Sequence, residues 1–364
     1  MLATCSWLFA GHTLADGSTI QIGQSLPLSG PLENYGKAKR SGAQLYVDKT
    51  NALGGIDGKR LRITTLDDKY DALQAIDNTQ KLVSDHKAIG LLGYFGVPIG
   101  TAINPVLEQL KIPLVGVTSG SNSLRAKFHR YLFPVRASYA DEARRLLGQI
   151  SVVGSARVAI IYQSSDFGEE VRDSFLEAAK KEGLINLPII PVKSDGSDSN
   201  QAILKLPTNI QAVFLATLSP AAIQLIAAMA QDRPRATIYG LSALDSTLLL
   251  KNLGVKASGV VQSQVMPLSS NTALAGEYHS ALKQFSTNET PSYFGMEGFL
   301  EAKVLVSALR KPGASKSSQT LTTALESLSR LDVGGVEVQY SQSSRRGSSY
   351  TQLTILNDRG QVVR

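Results

Sequence analysis

The sequence predicts an α/β protein built as two doubly wound, parallel-sheet lobes. Three observations carry this. The chain has 364 residues, more than one ordinary core accommodates. Short apolar strands alternate with helical patterns of ten or more residues. The same alternation restarts near Asp141. Strands linked by helices pair in parallel, with both sheet faces covered. Such sheets bind ligands beyond the carboxyl ends of their strands, where loops lead into helix N-termini.

Thr19 to Leu26 alternates apolar and polar residues and breaks at Pro27 and Ser29-Gly30-Pro31. Gly36 to Leu53 spaces Leu45, Tyr46 and Leu53 for a buried helical side. It stops at Gly54-Gly55, since glycine readily takes the left-handed conformation that ends helices. Strand Arg60–Leu66, helix Ala72–Ser84, strand Ala88–Leu92, helix Thr101–Leu110 and strand Ile112–Val117 complete the first half. The second half opens with a helix from Asp141 to Ile150, strand Arg157–Tyr162 and helix Phe167–Glu182. Strands at Leu187–Val192, Ala212–Ala216 and Thr237–Leu241 follow, interleaved with helices at Ala202–Leu206 and Ala221–Ala230. Helices Ala273–Phe285, Gly295–Arg310 and Gln319–Leu328 precede strand-like segments Val336–Tyr340 and Tyr350–Leu356. No repeat points to a solenoid.

The composition is 43% apolar and 18% charged, with a net charge of +7. Lys and Arg are scattered among acids. The densest basic pair, Arg345-Arg346, lies in a Ser/Gly-rich segment and reads as solvated surface, not a nucleic-acid face. Met1 to Ala15 carries no charged side chain, and Leu2 to Ala10 is largely apolar. With Thr13-Leu14-Ala15 as a cleavage site, residues 1–15 read as a secretory signal that lacks its basic start. The alternative is a disordered or buried first segment. Leu2-Ala3-Thr4-Cys5 is a poor lipoprotein box, so plain export is expected. The single cysteine forms no intrachain disulfide.

Catalytic motifs are missing. Gly116-Val117-Thr118-Ser119-Gly120 has the wrong register for a nucleophile elbow. No phosphate-binding glycine loop follows the first strand. His12, His86, His129 and His279 lack metal-ligand spacing. Asp67 and Asp68 end a strand, where a catalytic pair or solvated, capping acids could sit. No catalytic residue, metal or cofactor is expected.

Several segments occur together in order: Ile22-Gly23 through Leu28-Ser29-Gly30-Pro31, Tyr35-Gly36, Gly54-Gly55-Ile56-Asp57-Gly58, and Gly93 to Gly100. Ile112-Pro113-Leu114-Val115-Gly116, Leu124-Arg125, Asp166-Phe167-Gly168 and Glu297-Gly298-Phe299 through Arg310 follow. Through them the chain resembles the type I periplasmic solute-binding proteins of ABC importers, in the branch of the leucine/isoleucine/valine-binding protein. The resemblance implies the periplasmic binding protein-like I fold, two lobes joined by a three-crossing hinge. The crossings are expected near residues 137–140, 263–266 and 334. Lobe 1 would hold residues 16–138 plus 266–334, and lobe 2 residues 139–265 plus 335–364. It further implies a periplasmic monomer that delivers a small solute to an inner-membrane permease and binds no nucleic acid. A ligand sensor reporting to a partner protein is the alternative; an enzyme on this fold ranks third.

Carried over by resemblance, the loop after Gly93, with Gly96 and Val97, and the segment Val117-Thr118-Ser119-Gly120 hold a ligand carboxylate. They would act through backbone N–H groups at a helix N-terminus and the Ser119 hydroxyl. Tyr35 forms an aromatic wall and Tyr293 joins the set. Phe167 is a second wall or a staple packing on Val171. Two departures bear on the ligand. Val97 stands where the family commonly has a hydroxyl. Ser242 stands where amino-acid binders place an acid for the ligand ammonium, with Asp245 the nearest substitute. A serine cannot neutralise a buried ammonium. The expected ligand is therefore an aromatic or aliphatic carboxylate, an amide or a larger metabolite, not a branched-chain amino acid.

Overall fold

A computed structural model describes residues 19–364 apart from 233–234, 269 and 287–288. The expected signal segment, with Cys5, lies outside the described residues. The first lobe contains β1 (Thr19–Leu26), α1 (Glu33–Ala52), β2 (Arg60–Asp67), α2 (Ala72–Ser84), β3 (Gly90–Phe95), α3 (Val97–Leu110), β4 (Leu114–Thr118), α4 (Ser123–Ala126) and β5 (Leu132–Phe133). These strands form a parallel sheet in the order β2-β1-β3-β4-β5. Every residue of β3 and β4 is buried, because helices cover both sheet faces.

The second lobe contains α5 (Tyr139–Val152), β6 (Val158–Gln163), α6 (Asp166–Lys181), β7 (Ile189–Val192), α7 (Ser199–Leu204), β8 (Ala212–Ala216), α8 (Ser219–Asp232), β9 (Thr237–Gly240), α9 (Ser246–Leu253) and β10 (Val261–Gln264). The chain then returns. Helices α10 (Ala273–Phe285), α11 (Tyr293–Leu309) and α12 (Ser318–Glu326) precede a small sheet of β11 (Leu331–Asp332), β12 (Glu337–Tyr340) and β13 (Arg345–Gly347). Finally β14 (Gln352–Leu356) and β15 (Val362–Val363) complete the second sheet, ordered β15-β14-β10-β9-β8-β6-β7.

The chain passes between the sheets after β5, after β10 and after β13. The third passage lies beyond the expected residue 334. Val336, Val338 and Tyr340 are buried in the core that also holds Phe133, Phe299 and Leu305. The Tyr340 hydroxyl donates to the Pro134 carbonyl at 2.7 Å. Residues up to Gly347 thus stay with the first lobe.

Local chemistry explains where the elements begin. Ser138 and Asp141 form a reciprocal capping box, so α5 starts at Tyr139, ahead of the expected Asp141. The α6 cap is Ser165, whose Oγ accepts from the Gly168 N–H at 3.3 Å, and Asp166 opens the helix. Helix α3 starts at Val97, ahead of the expected Thr101, because Pro98 fits a first helical turn. Strand β10 escaped sequence reading. Its polar run VQSQ is buried and bonded inward: Gln262 Nε2 donates to the Leu244 carbonyl at 2.9 Å, and Ser263 Oγ donates to Glu142 at 2.7 Å.

Candidate functional site: the interlobe cleft

Each sheet reverses its winding at one point. In the first sheet this lies between β1 and β3; in the second, between β6 and β8. At such switch points neighbouring loops diverge and leave a crevice. Here the two crevices face each other. They enclose a chamber of about 600 Å³. Its walls include Pro31 and Leu32 after β1, Tyr70 after β2, and Pro98 after β3. From the second lobe come Phe167 after β6 and Leu218 after β8. The size suits a small ligand. Lys69, Asp166 and Asp195 carry the charges on its wall.

Aromatic rings fill the inner end. Tyr35 lies 4.8 Å from Phe294, edge to face, and 5.2 Å from Phe95. Tyr70 lies 5.9 Å from Phe95. Across the cleft, Tyr139 meets Phe167 at 5.7 Å. One apolar cluster therefore contains residues of both lobes: Tyr35, Phe95, Val97 and Phe294 from the first, Tyr139, Phe167 and Phe214 from the second.

Polar contacts also cross the cleft. The Tyr35 hydroxyl donates to Ser219 Oγ at 2.7 Å and accepts from the Ser219 N–H at 3.0 Å. Burial, with the nearby Asp245 charge, raises its pKa, so the hydroxyl stays protonated. At the mouth, Asn122 Nδ2 donates to Ser174 Oγ at 3.2 Å. Replacing Tyr35 with phenylalanine keeps the ring and removes the inter-lobe bonds. Each buried hydrogen bond contributes about 1 kcal/mol, so with both lost Tyr35→Phe is expected to weaken cleft-ligand affinity about thirtyfold, read by calorimetry.

The loop after β2 is held by two carboxylates. Asp67 accepts from the Leu28 and Lys69 N–H groups at 2.8 and 2.9 Å and from Ser29 Oγ at 2.6 Å. Burial alone would raise its pKa, but these donors hold it below the ordinary value. Asp68 accepts from Ser25 Oγ and the Tyr70 N–H, both at 2.9 Å. They act as loop clamps. They present Tyr70, whose φ of 64° is left-handed, with its ring against Gly96. A Cβ at Gly96, itself at φ 99°, would strike that ring.

Burial raises Asp68 from 3.8 to about 6. Between those values the native state holds a proton that the unfolded chain has released. Stability is therefore expected to fall as pH rises through that window. Asp68→Asn should flatten this part of the profile in chemical denaturation, and an unchanged profile would contradict the assignment.

The expected site residues fall into three groups. Phe167 lines the chamber, while Tyr35, Gly96 and Val97 stand at its inner end. Phe167 shares a cluster with Val171, so its wall and packing roles coexist. Gly120 packs against Tyr139, accepting its N–H at 2.8 Å, and Ser119 Oγ accepts from the Ser121 N–H at 3.2 Å. The side chains of the remaining four point or bond elsewhere. Val117 faces away, into the core with Ile99, Ile103 and Leu124, because strand residues alternate faces. Tyr293 packs against the core behind the first sheet, and its neighbour Phe294 meets Tyr35. Thr118 Oγ1 accepts from Lys39 and donates to Glu297 at 3.0 Å. Ser242 donates its N–H to Glu142 at 2.8 Å, and its Oγ accepts from Arg136.

The last two belong to a buried charge network that no motif announced. Lys39 on α1 pairs with Glu301 at 2.9 Å and Glu297 at 3.7 Å, both on α11. Arg136, in the first crossing, pairs with Glu297 at 3.5 Å and with Glu142 of α5 at 3.3 Å. All five side chains are almost completely buried. Burial works against the Arg136 charge, but Glu297 and Glu142 outweigh it and raise its pKa. Arg136 thus joins a carboxylate of each lobe at the hinge.

A model of the family described as periplasmic binding protein matches residues 19–361. The chain belongs to that family. Among its relatives is Leu/Ile/Val-binding protein homolog 3 of Brucella melitensis, 21% identical, with 92% of this chain and 90% of that protein covered. Among solved structures, a possible leucine/isoleucine/valine-binding protein from Rhodopirellula baltica superposes with a TM-score of 0.90 at 23% identity, covering 97% of this chain and 98% of that one. A fatty acid ABC transporter substrate-binding protein from Thermomonospora curvata gives 0.83 at 20% identity, covering 95% and 91%. The two-lobed fold of type I periplasmic binding proteins is common to all.

Proposed function

We propose that this protein is the periplasmic solute receptor of an ABC importer, closing its lobes around a small organic solute and passing it to a membrane permease. The carrying observation is the convergence of both switch points on one chamber of about 600 Å³ whose walls are mainly apolar. Only a closed state lets both walls touch one ligand, so ligand shifts the equilibrium towards closure. Catalysis forms no part of this reading.

The solute is an aromatic or aliphatic carboxylate, or an amide, in preference to a branched-chain amino acid. A desolvated ammonium needs a carboxylate partner. Ser242 provides none and is committed to Arg136 and Glu142. Asp245 caps α9 through one oxygen, which accepts from the Thr247 and Leu248 N–H groups at 2.8 and 3.4 Å. The wall acids Asp166 and Asp195 are exposed, so neither is a buried partner. The Val97 side chain adds apolar surface at the inner end. The relatives' names divide between branched-chain amino acids and fatty acid, so the fold does not dictate the solute.

Calorimetry with leucine, isoleucine and valine tests the solute class directly. No binding is expected, and micromolar affinity for any of them would sink this reading. A thermal-shift screen of aromatic acids, aliphatic acids and amides is expected to find the solute, because a ligand of the native state raises its melting temperature.

A further inference from the structure

The Ser/Gly-rich segment around Arg345-Arg346 is not simply solvated surface. Arg345 is buried against Glu326 at 2.8 Å and lies over the rings of Phe133 and Phe128, at 4.3 and 4.7 Å. Around it opens a recess of about 460 Å³, between α4, the first crossing and the turn joining β12 to β13. It shares no lining residue with the cleft.

We propose that this recess binds a small molecule bearing phosphate groups. Its lining carries Arg125, Lys127, His129, Arg345 and Arg346 against a single carboxylate, Asp141. That carboxylate is already engaged: it accepts from the Ser138 N–H at 3.1 Å, from Ser138 Oγ at 2.7 Å, and from Arg144. Glu326 offsets Arg345. Among the described residues no carboxylate pairs with Arg125, Lys127 or Arg346, which leaves three cations facing one hollow.

Arg125 is the most telling. It donates only to backbone carbonyls, those of Arg346 at 3.0 Å, Arg136 at 2.9 Å and Ser119 at 3.4 Å. Its Nε is buried without a hydrogen-bond partner. Burial and the neighbouring Arg136 charge push its guanidinium down to about 10. Arg125 is half-buried and has no carboxylate partner among the described residues, and an anion in the recess would supply its counter-charge. Guanidinium groups suit phosphate oxygens in particular, because their donors form a planar fork. Ser343 and Ser344 put hydroxyl groups on the wall. A singly charged carboxylate would leave two of the three cations unmatched and a phosphate monoester, at about −2, would leave one, whereas a diphosphate comes nearest to matching all three. Phe128, 48% exposed at the rim, offers a flat apolar face to the organic part.

The test is calorimetry on the full chain with pyrophosphate, using orthophosphate for comparison. Pyrophosphate is expected to bind more tightly than orthophosphate, and more weakly as ionic strength rises. Lys127 and Arg346 are exposed, so the Lys127→Ala/Arg346→Ala variant should fold normally. It is expected to lose about tenfold or more in pyrophosphate affinity while cleft-ligand binding is unchanged. A lipid headgroup carries the same chemistry, and co-sedimentation with phosphatidylglycerol vesicles separates the sources. Pyrophosphate binding without sedimentation assigns a soluble phosphate; sedimentation abolished in the double variant assigns a headgroup. Binding to neither probe, or binding that the double variant leaves intact, overturns the proposal.

Discussion

Arg136→Ala is expected to destabilise the protein by about 3–5 kcal/mol, the cost of leaving buried carboxylates without their counter-charge. Glu142 and Glu297 would both lose their arginine partner, from opposite lobes. Burial raises the pKa of Glu142 even with Arg136 present. Urea denaturation measures the loss. The double variant Arg136→Met/Glu142→Gln should recover part of it, since the stranded charge on the second lobe is then removed; a double-mutant cycle isolates that coupling. Equal destabilisation of single and double variants would show that the arginine acts through packing, not charge.

Gly42→Ala is the second large effect. Gly42 lies on the face where α1 packs against α11, and a Cβ there would overlap the backbone carbonyl of Gly295. No side chain can rotate away from such a clash, so the helices must separate. Separation strains the Lys39–Glu301 and Lys39–Glu297 pairs, which join the same two helices. Overpacking of this kind costs typically about 1–3 kcal/mol, and the disturbed ion pairs place the expected loss at the upper end. A melting temperature within a degree or two of wild type would contradict the close approach.

These two sites show where sequence reading stops. The strand–helix alternation, the glycine stop at Gly54-Gly55 and the apolar run AVFLA were legible, because periodicity and turn chemistry are local, while β3 runs on to Phe95, beyond the expected Leu92. So were the loops that carry Tyr35, Gly96 and Phe167, since strand ends in such sheets point at the crevice. Arg136, Lys39 and Glu301 were not legible: a buried ion pair joins residues far apart in the chain, and each alone resembles a surface charge. Strand β10 was missed because its glutamines and serines find buried partners. The directions of the Val117 and Thr118 side chains were not legible, since strand alternation and the charge network turn them from the cleft. Tyr293 and Phe294 differ by one helical position, which turns a side chain through roughly 100°. The role of Ser242 was not legible either, because its hydroxyl accepts from Arg136, which lies far away in the chain.

The recess at Arg125 illustrates a second limit. Basic residues in the segment 341–349 read as solvated because sequence does not show that Arg125, from α4, and Lys127 stand opposite them. Concavity, not composition, distinguishes a site from a charged face.

The two lobes are expected to close on a solute held between their switch points. Small-angle X-ray scattering of the protein with and without saturating cleft ligand tests this closure most directly. The ligand-free protein is expected to be more extended, and saturation to reduce its radius of gyration to that of the arrangement in which Tyr35 meets Ser219. An unchanged radius under saturation by a tightly bound ligand would contradict the account.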